Sequence, residues 1–109
     1  MRAVVVTPAT RTVEARDIPS GLRALQSIVG GYIEGVYPGN FDAEFARTHG
    51  YVNEEGLFNQ DFALHPWAIL PGYPHLVGPA VFLDDNGRGD DRDCSMSVEQ
   101  IYSKILWKF

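Results

Sequence analysis

Apolar and polar positions divide the chain into short elements. Residues 2–8 contain the run Ala3-Val4-Val5-Val6 and stop at Pro8, which predicts a strand. Thr12, Val13, Glu14, Ala15, Arg16, Asp17 and Ile18 alternate, so residues 11–18 predict a second strand with one wet face. The gap between them is short enough for a hairpin. Leu22, Leu25, Ile28 and Val29 then recur at helical spacing and predict a helix over about residues 20–30, with Ser20 or Asp17 as N-cap. Gly30 and Gly31 end it, and the β-branched and aromatic residues of 32–37 predict a strand that turns at Pro38-Gly39-Asn40.

The pattern continues with Phe45, Ala46, Thr48, Tyr51 and Val52, a strand within residues 41–53 with a break at Gly50. Asn53-Glu54-Glu55-Gly56 is a tight turn. Asn59 caps a short helix over residues 60–64, which Pro66 stops; Pro71, Gly72 and Pro74 make an irregular link. Residues 76–83 read as a buried strand with a bulge or an edge at Gly78-Pro79. The polar run over residues 84–95 predicts a mobile acidic loop. Ser97 and Gln100 form a capping box, and the stripe Val98, Ile101, Tyr102, Ile105, Leu106 predicts a C-terminal helix over about residues 97–108. The order strand, strand, helix, strand gives a single α+β domain over residues 1–109. It holds a mostly antiparallel sheet of about four to six strands, one central helix and one C-terminal helix.

The double glycine is not a phosphate loop. Phosphate-binding glycines precede a helix, where the dipole is positive, whereas Gly30 and Gly31 follow one; no Lys-Ser or Lys-Thr pair comes after them.

Composition narrows the function classes. The chain has 109 residues, 45% of them hydrophobic, enough for one core. The net charge of −5 and the lack of a Lys/Arg cluster speak against nucleic acid as a partner. Cys94 is the single cysteine, so no internal disulfide forms. The N-terminal apolar run is too short for a signal peptide or a membrane span, which leads us to expect a cytoplasmic protein without a membrane partner. Aligned from Asp84, the acidic loop puts Arg88 and Ser95 where a calcium loop needs oxygen ligands and a bidentate Glu.

Candidate chemistry is sparse. Glu34, Glu54 and Glu55 come together if the strand after Gly31 pairs with the strand before Asn53, and paired carboxylates do acid–base work when burial separates their pKa values. Exposed turn carboxylates are the ordinary alternative. His49, His65 and His75 lack the spacing of a zinc site on one helix face, and Cys94 has no neighbouring cation to activate it. No metal or cofactor is expected. Six Phe, five Tyr and two Trp exceed what so small a core must hold. Those left outside can stack on a purine or anchor a protein. Trp107 and Phe109 lie off the C-terminal stripe, which suits packing on the sheet or against a second subunit. Arg2, Arg11, Arg16 and Arg23 are the candidates for gripping a phosphate. The expected ligand-binding set is Gln26, Tyr32, Glu34, Asn53, Glu54, Arg23 and Trp67, with no catalytic residue.

The segments Leu25-Gln26, Val29-Gly30-Gly31-Tyr32-Ile33-Glu34 and Asn53-Glu54-Glu55-Gly56 resemble a family of small bacteriophage and plasmid proteins, a domain of unknown function numbered thirty-eight forty-six. Asn59, Ala63 and Val77-Gly78-Pro79-Ala80-Val81 continue the resemblance, which covers about residues 22–87; the segment 67–75 and the C-terminal helix depart from it. The resemblance implies a phage or mobile-element origin inside a bacterial host and carries no catalytic residues. The function expected is non-enzymatic binding of a host molecule, most concretely a sponge for a nucleotide immune signal. An inhibitor of a host defence or replication protein is the alternative, and a nucleotide-processing enzyme the third. A homo-oligomer is expected.

Overall fold

β-Branched residues open the chain as a hairpin. In the computed structural model, which describes residues 1–69 and 75–109, β1 (Arg2–Thr7) pairs antiparallel with β2 (Thr12–Asp17), from Arg2 opposite Asp17 to Thr7 opposite Thr12. Successive residues face opposite sides of a strand, and Ala3, Val4, Val5 and Val6 are all buried, so both faces of β1 are covered. α1 (Leu22–Val29) follows, then β3 (Ile33–Val36), β4 (Thr48–Asn53), the single-turn α2 (Gln60–Ala63), β5 (Pro66–Ile69), β6 (Leu76–Val77), β7 (Ala80–Asp85), β8 (Asp91–Arg92), α3 (Val98–Tyr102) and β9 (Ile105–Trp107).

The main sheet runs β2-β1-β7-β4-β3, with β8 added to β7, and a second sheet runs β6-β5-β9. All pairings are antiparallel, so the protein is α+β as its sequence predicts. One face of the main sheet is covered by α1, whose Leu25 and Val29 meet Ala3, Val5, Ile18, Val81 and Leu83. The other face, with Val4, Val6, Val36, Val52 and Phe82, packs against Phe45, Trp67, Ile69, Cys94, Met96 and Ile101.

Several expectations need correction. The C-terminal helix stops at Tyr102; Ile105–Trp107 is a strand, because its backbone pairs with β5, with Trp107 opposite Trp67 and Ile105 opposite Ile69. A capping box starts a helix but does not set its length. The expected strand over residues 41–53 begins only at Thr48, after 3-10 turns over Pro38–Asn40 and Ala43–Phe45. Gly50 does not break it. Gly50 lies opposite Phe82, and a Cβ there would meet the Phe82 ring at 2.8 Å, so the bare position gives that ring its place. Residues 76–83 split into β6 and β7, in different sheets, where Gly78 (φ +77°) and Pro79 turn the chain. The acidic run is partly a hairpin: Asp84 pairs with Arg92 and Asp85 with Asp91. Neither Ser20 nor Asp17 caps α1. Gly21 holds that place without a side-chain bond, and the Asp17 carboxylate instead accepts from the Met1 ammonium at 3.1 Å. Asn59 does cap α2, its side chain accepting from the Phe62 amide. The irregular link at Pro71-Gly72-Pro74 lies outside the described residues.

Candidate functional site

The junction after α1 builds a cleft. Gly30 takes the left-handed conformation (φ +84°), and its amide and that of Gly31 return to the Gln26 carbonyl at 2.8 and 3.2 Å. Gly31 has a different reason to be glycine. A Cβ there would lie 2.9 Å from Nδ2 of Asn53. That amide donates to the Val29 carbonyl at 3.1 Å, while its Oδ1 accepts from the Glu55 amide at 2.8 Å. Asn53 therefore satisfies one of the orphan carbonyls at the helix end and shapes the turn behind it at the same time.

The expected pairing of β3 with β4 is present, with Ile33 opposite Asn53 and Glu34 opposite Val52. Directly opposite residues share a face and neighbours alternate, so Glu34 and Asn53 sit on opposite faces of the sheet. Ile33 belongs with the α1 layer and Val52 with the other, which confirms the assignment. Glu34, Glu54 and Glu55 are all exposed, and the pairing does not make them a buried carboxylate set.

Of the predicted ligand-binding residues, Tyr32 and Asn53 share a cleft of about 410 Å³ with Gly30 and Gly31. Gln26, Arg23, Glu34 and Glu54 do not line it. Trp67 is fully buried, and its indole N–H donates to the Gly78 carbonyl at 3.1 Å, so its ring is core and not a ligand surface. The expected ligand-binding set left out Glu55, Phe58 and Asn59, which complete the cleft. Phe58, in the 3-10 turn Gly56–Phe58, is 87% exposed and Tyr32 is 71% exposed, so each has most of its ring open to a ligand.

The phosphate-gripping arginines are otherwise engaged. Arg2 Nη1 donates to the Cys94 and Met96 carbonyls at 2.6 and 2.9 Å. Arg11 donates to the Phe109 carbonyl and stacks on its ring, and Arg16 pairs with Glu14. Only Arg23 of the four is without such a bond among the described residues, and it lies outside the cleft. The cleft has the negative end of α1 and the Glu55 carboxylate, and no cation lines it among the described residues. It suits a neutral flat ring with hydrogen-bond donors far better than a phosphate.

The remaining chemistry is structural. Burial pushes the Cys94 thiol up, away from the thiolate. His65 stacks edge-on against Phe109 at 4.9 Å. Among the described residues, no three His, Cys, Asp or Glu side chains gather as a metal site. No helix among them is long and apolar enough to cross a membrane. A family model, Domain of unknown function (DUF3846), matches residues 1–108, and the chain belongs to that family. It matches no curated protein and no solved structure.

Proposed function

We propose that this member of a family of unknown function is a binding protein that takes a nucleoside or nucleotide by its base, in the cleft between Tyr32 and Phe58. The observation that carries the reading is the pair of largely exposed rings lining one cleft whose polar floor, Asn53, is held at both ends of its amide. Rings of this kind stack on any base, and a fixed amide adds a hydrogen bond to its edge. The phosphate, if present, points to solvent, since no cation among the described residues lines the cleft. Sequestration of a nucleotide signal by an accessory protein of a phage or mobile element, inside a host cell, is the finer form of this reading, supported by the sequence resemblance. It needs no catalysis and no cofactor.

Calorimetry with nucleosides, their monophosphates and cyclic dinucleotides tests it. A nucleoside is expected to bind about as tightly as its monophosphate. Tyr32→Ala and Phe58→Ala are each expected to weaken binding by about fivefold to a hundredfold, the worth of one stacked ring. Absence of binding across the panel sinks the proposal. A second reading rests on Leu57 and Leu64, 72% and 68% exposed, which with Phe58 offer apolar side chains to a protein partner. It is favoured if Leu64→Ser abolishes capture of a host protein while leaving nucleoside binding unchanged.

A further inference from the structure

A second polar cluster lies further along β4, on the face that carries Asn53. His49, Tyr51 and Asn53 alternate there, and His49 is 93% buried. Its Nε2 lies 2.8 Å from Oδ1 of Asp91 and 3.0 Å from the Tyr51 hydroxyl, which itself donates to the same Asp91 oxygen at 2.8 Å. Asp91 is carried by β8, so the cluster also fastens the acidic hairpin to the sheet. A carboxylate can only accept, so Nε2 of His49 carries a proton, and in the neutral form of the ring the lone pair is on Nδ1. Nδ1 has no partner among the described residues, although every fully buried side-chain nitrogen and oxygen among them is bonded; Nδ1 is therefore open.

His49 lines a cavity of about 230 Å³ with Tyr37, Asn40, Arg47 and Asp85. Arg47 and Asp85 share this cavity without forming an ion pair with each other. The Arg47 guanidinium has no acceptor among the described residues, and Asp85 directs Oδ1 at the Gly87 and Gly89 amides, which leaves Oδ2 for another donor. The cavity is thus lined by one cation, one carboxylate, one imidazole and the Tyr37 ring.

We propose that this cavity is a second site, separate from the Tyr32–Phe58 cleft, for a small α-amino acid. Its carboxylate meets Arg47, and its ammonium meets Asp85 and Nδ1 of His49. A multiply charged phosphate fits poorly, because Asp85 lines the cavity and Asp91 lies just behind His49, and both repel it. A monovalent carboxylate that brings its own cation is matched by the opposed charges. Asp91 acts as a positioning residue by fixing the imidazole tautomer.

The test uses the whole chain and side-chain ¹H–¹⁵N spectra of histidine. In the free protein, His49 is expected to show the Nε2–H tautomer. The twenty standard amino acids, lactate and inorganic phosphate are then added in turn at millimolar concentration. At least one amino acid is expected to shift Nδ1 of His49, while phosphate does not. Arg47→Ala, on an exposed side chain, is expected to weaken that binding by about tenfold or more. Tyr32→Ala is expected to leave it unchanged, which separates this site from the cleft. An Nδ1–H tautomer in the free protein overturns the proposal, as does an Nδ1 signal that no amino acid moves. Equal binding by Arg47→Ala overturns the assignment of the cation, and binding of phosphate alone replaces the ligand class with a simple anion.

Discussion

Two adjacent glycines serve different physical ends. Gly30 is required by backbone conformation and Gly31 by the closeness of Asn53. Gly30→Ala is expected to cost about 1–2 kcal/mol from left-handed strain, whatever stands at position 53. Gly31→Ala is expected to cost about 1 kcal/mol by pushing the Asn53 amide off the Val29 carbonyl, and close to nothing in an Asn53→Ala background. Urea denaturation of the three single variants and of the two double variants that carry Asn53→Ala measures this, and an equal cost of Gly31→Ala in both backgrounds contradicts it. The helix-ending role was legible, because glycine after an amphipathic run has few other meanings. The Asn53 contact was not, since it joins residues more than twenty positions apart. The fate of Arg2 and Arg11 was hidden for the same reason, as their partners Cys94 and Phe109 are distant in sequence.

At the level of elements, the turn between α3 and β9 is held by a clasp. Lys104 Nζ lies 2.7 Å from Asp42 and 3.1 Å from Glu44, tying the C-terminal segment to the 3-10 turn Ala43–Phe45. The hydrogen bond from Lys104, then that from the Glu44 amide, holds the Asp42 carboxyl below its usual range; the bonds of Lys104 to the Asp42 and Glu44 carboxylates raise the ammonium. A depressed carboxylate stabilises the fold above its unfolded value and loses that contribution as pH falls through its folded value. A raised ammonium stabilises below its unfolded value and loses that contribution as pH rises through the folded one. The clasp is therefore intact from about pH 4 into the alkaline range. Lys104→Met is expected to flatten the part of the acid destabilisation that Asp42 contributes below about pH 4, read from urea midpoints against pH. An unchanged acid limb contradicts it. The clasp also explains why Ile105 and Leu106 leave the helix despite their helical spacing: the chain is turned at Lys104 and β5 offers them a strand to pair with.

At the scale of the whole molecule, the main sheet lies between two unlike layers, one helix on one side and a small sheet on the other. Both tryptophans, Trp67 and Trp107, belong to the small sheet, with ring centres 6.4 Å apart. Their fluorescence therefore reports on that layer, whereas far-ultraviolet circular dichroism reports on the whole backbone. Because Trp67 shares one core with Val4, Val6 and Phe82, the two signals are expected to change at the same denaturant concentration. An earlier fluorescence transition means that the small sheet melts as a separate unit. Candidate binding surfaces lie at the junctions of these layers. Tyr32 and Phe58 line the cleft where α1 ends beside β4, and His49 and Arg47 line the cavity where the acidic hairpin is fastened to the sheet.

The sequence by itself determined the α+β class, the first hairpin, the helix ended by Gly30, the cap at Asn59 and the capping box at Ser97, since each depends on residues a few positions apart. Only the tertiary structure decided that residues 105–107 form a strand, that residues 76–83 divide between two sheets, and that Asn53, Glu55 and Phe58 surround Tyr32. Those outcomes depend on pairing and packing between segments distant along the chain, where a backbone N–H or an apolar face takes whichever partner the assembled fold presents.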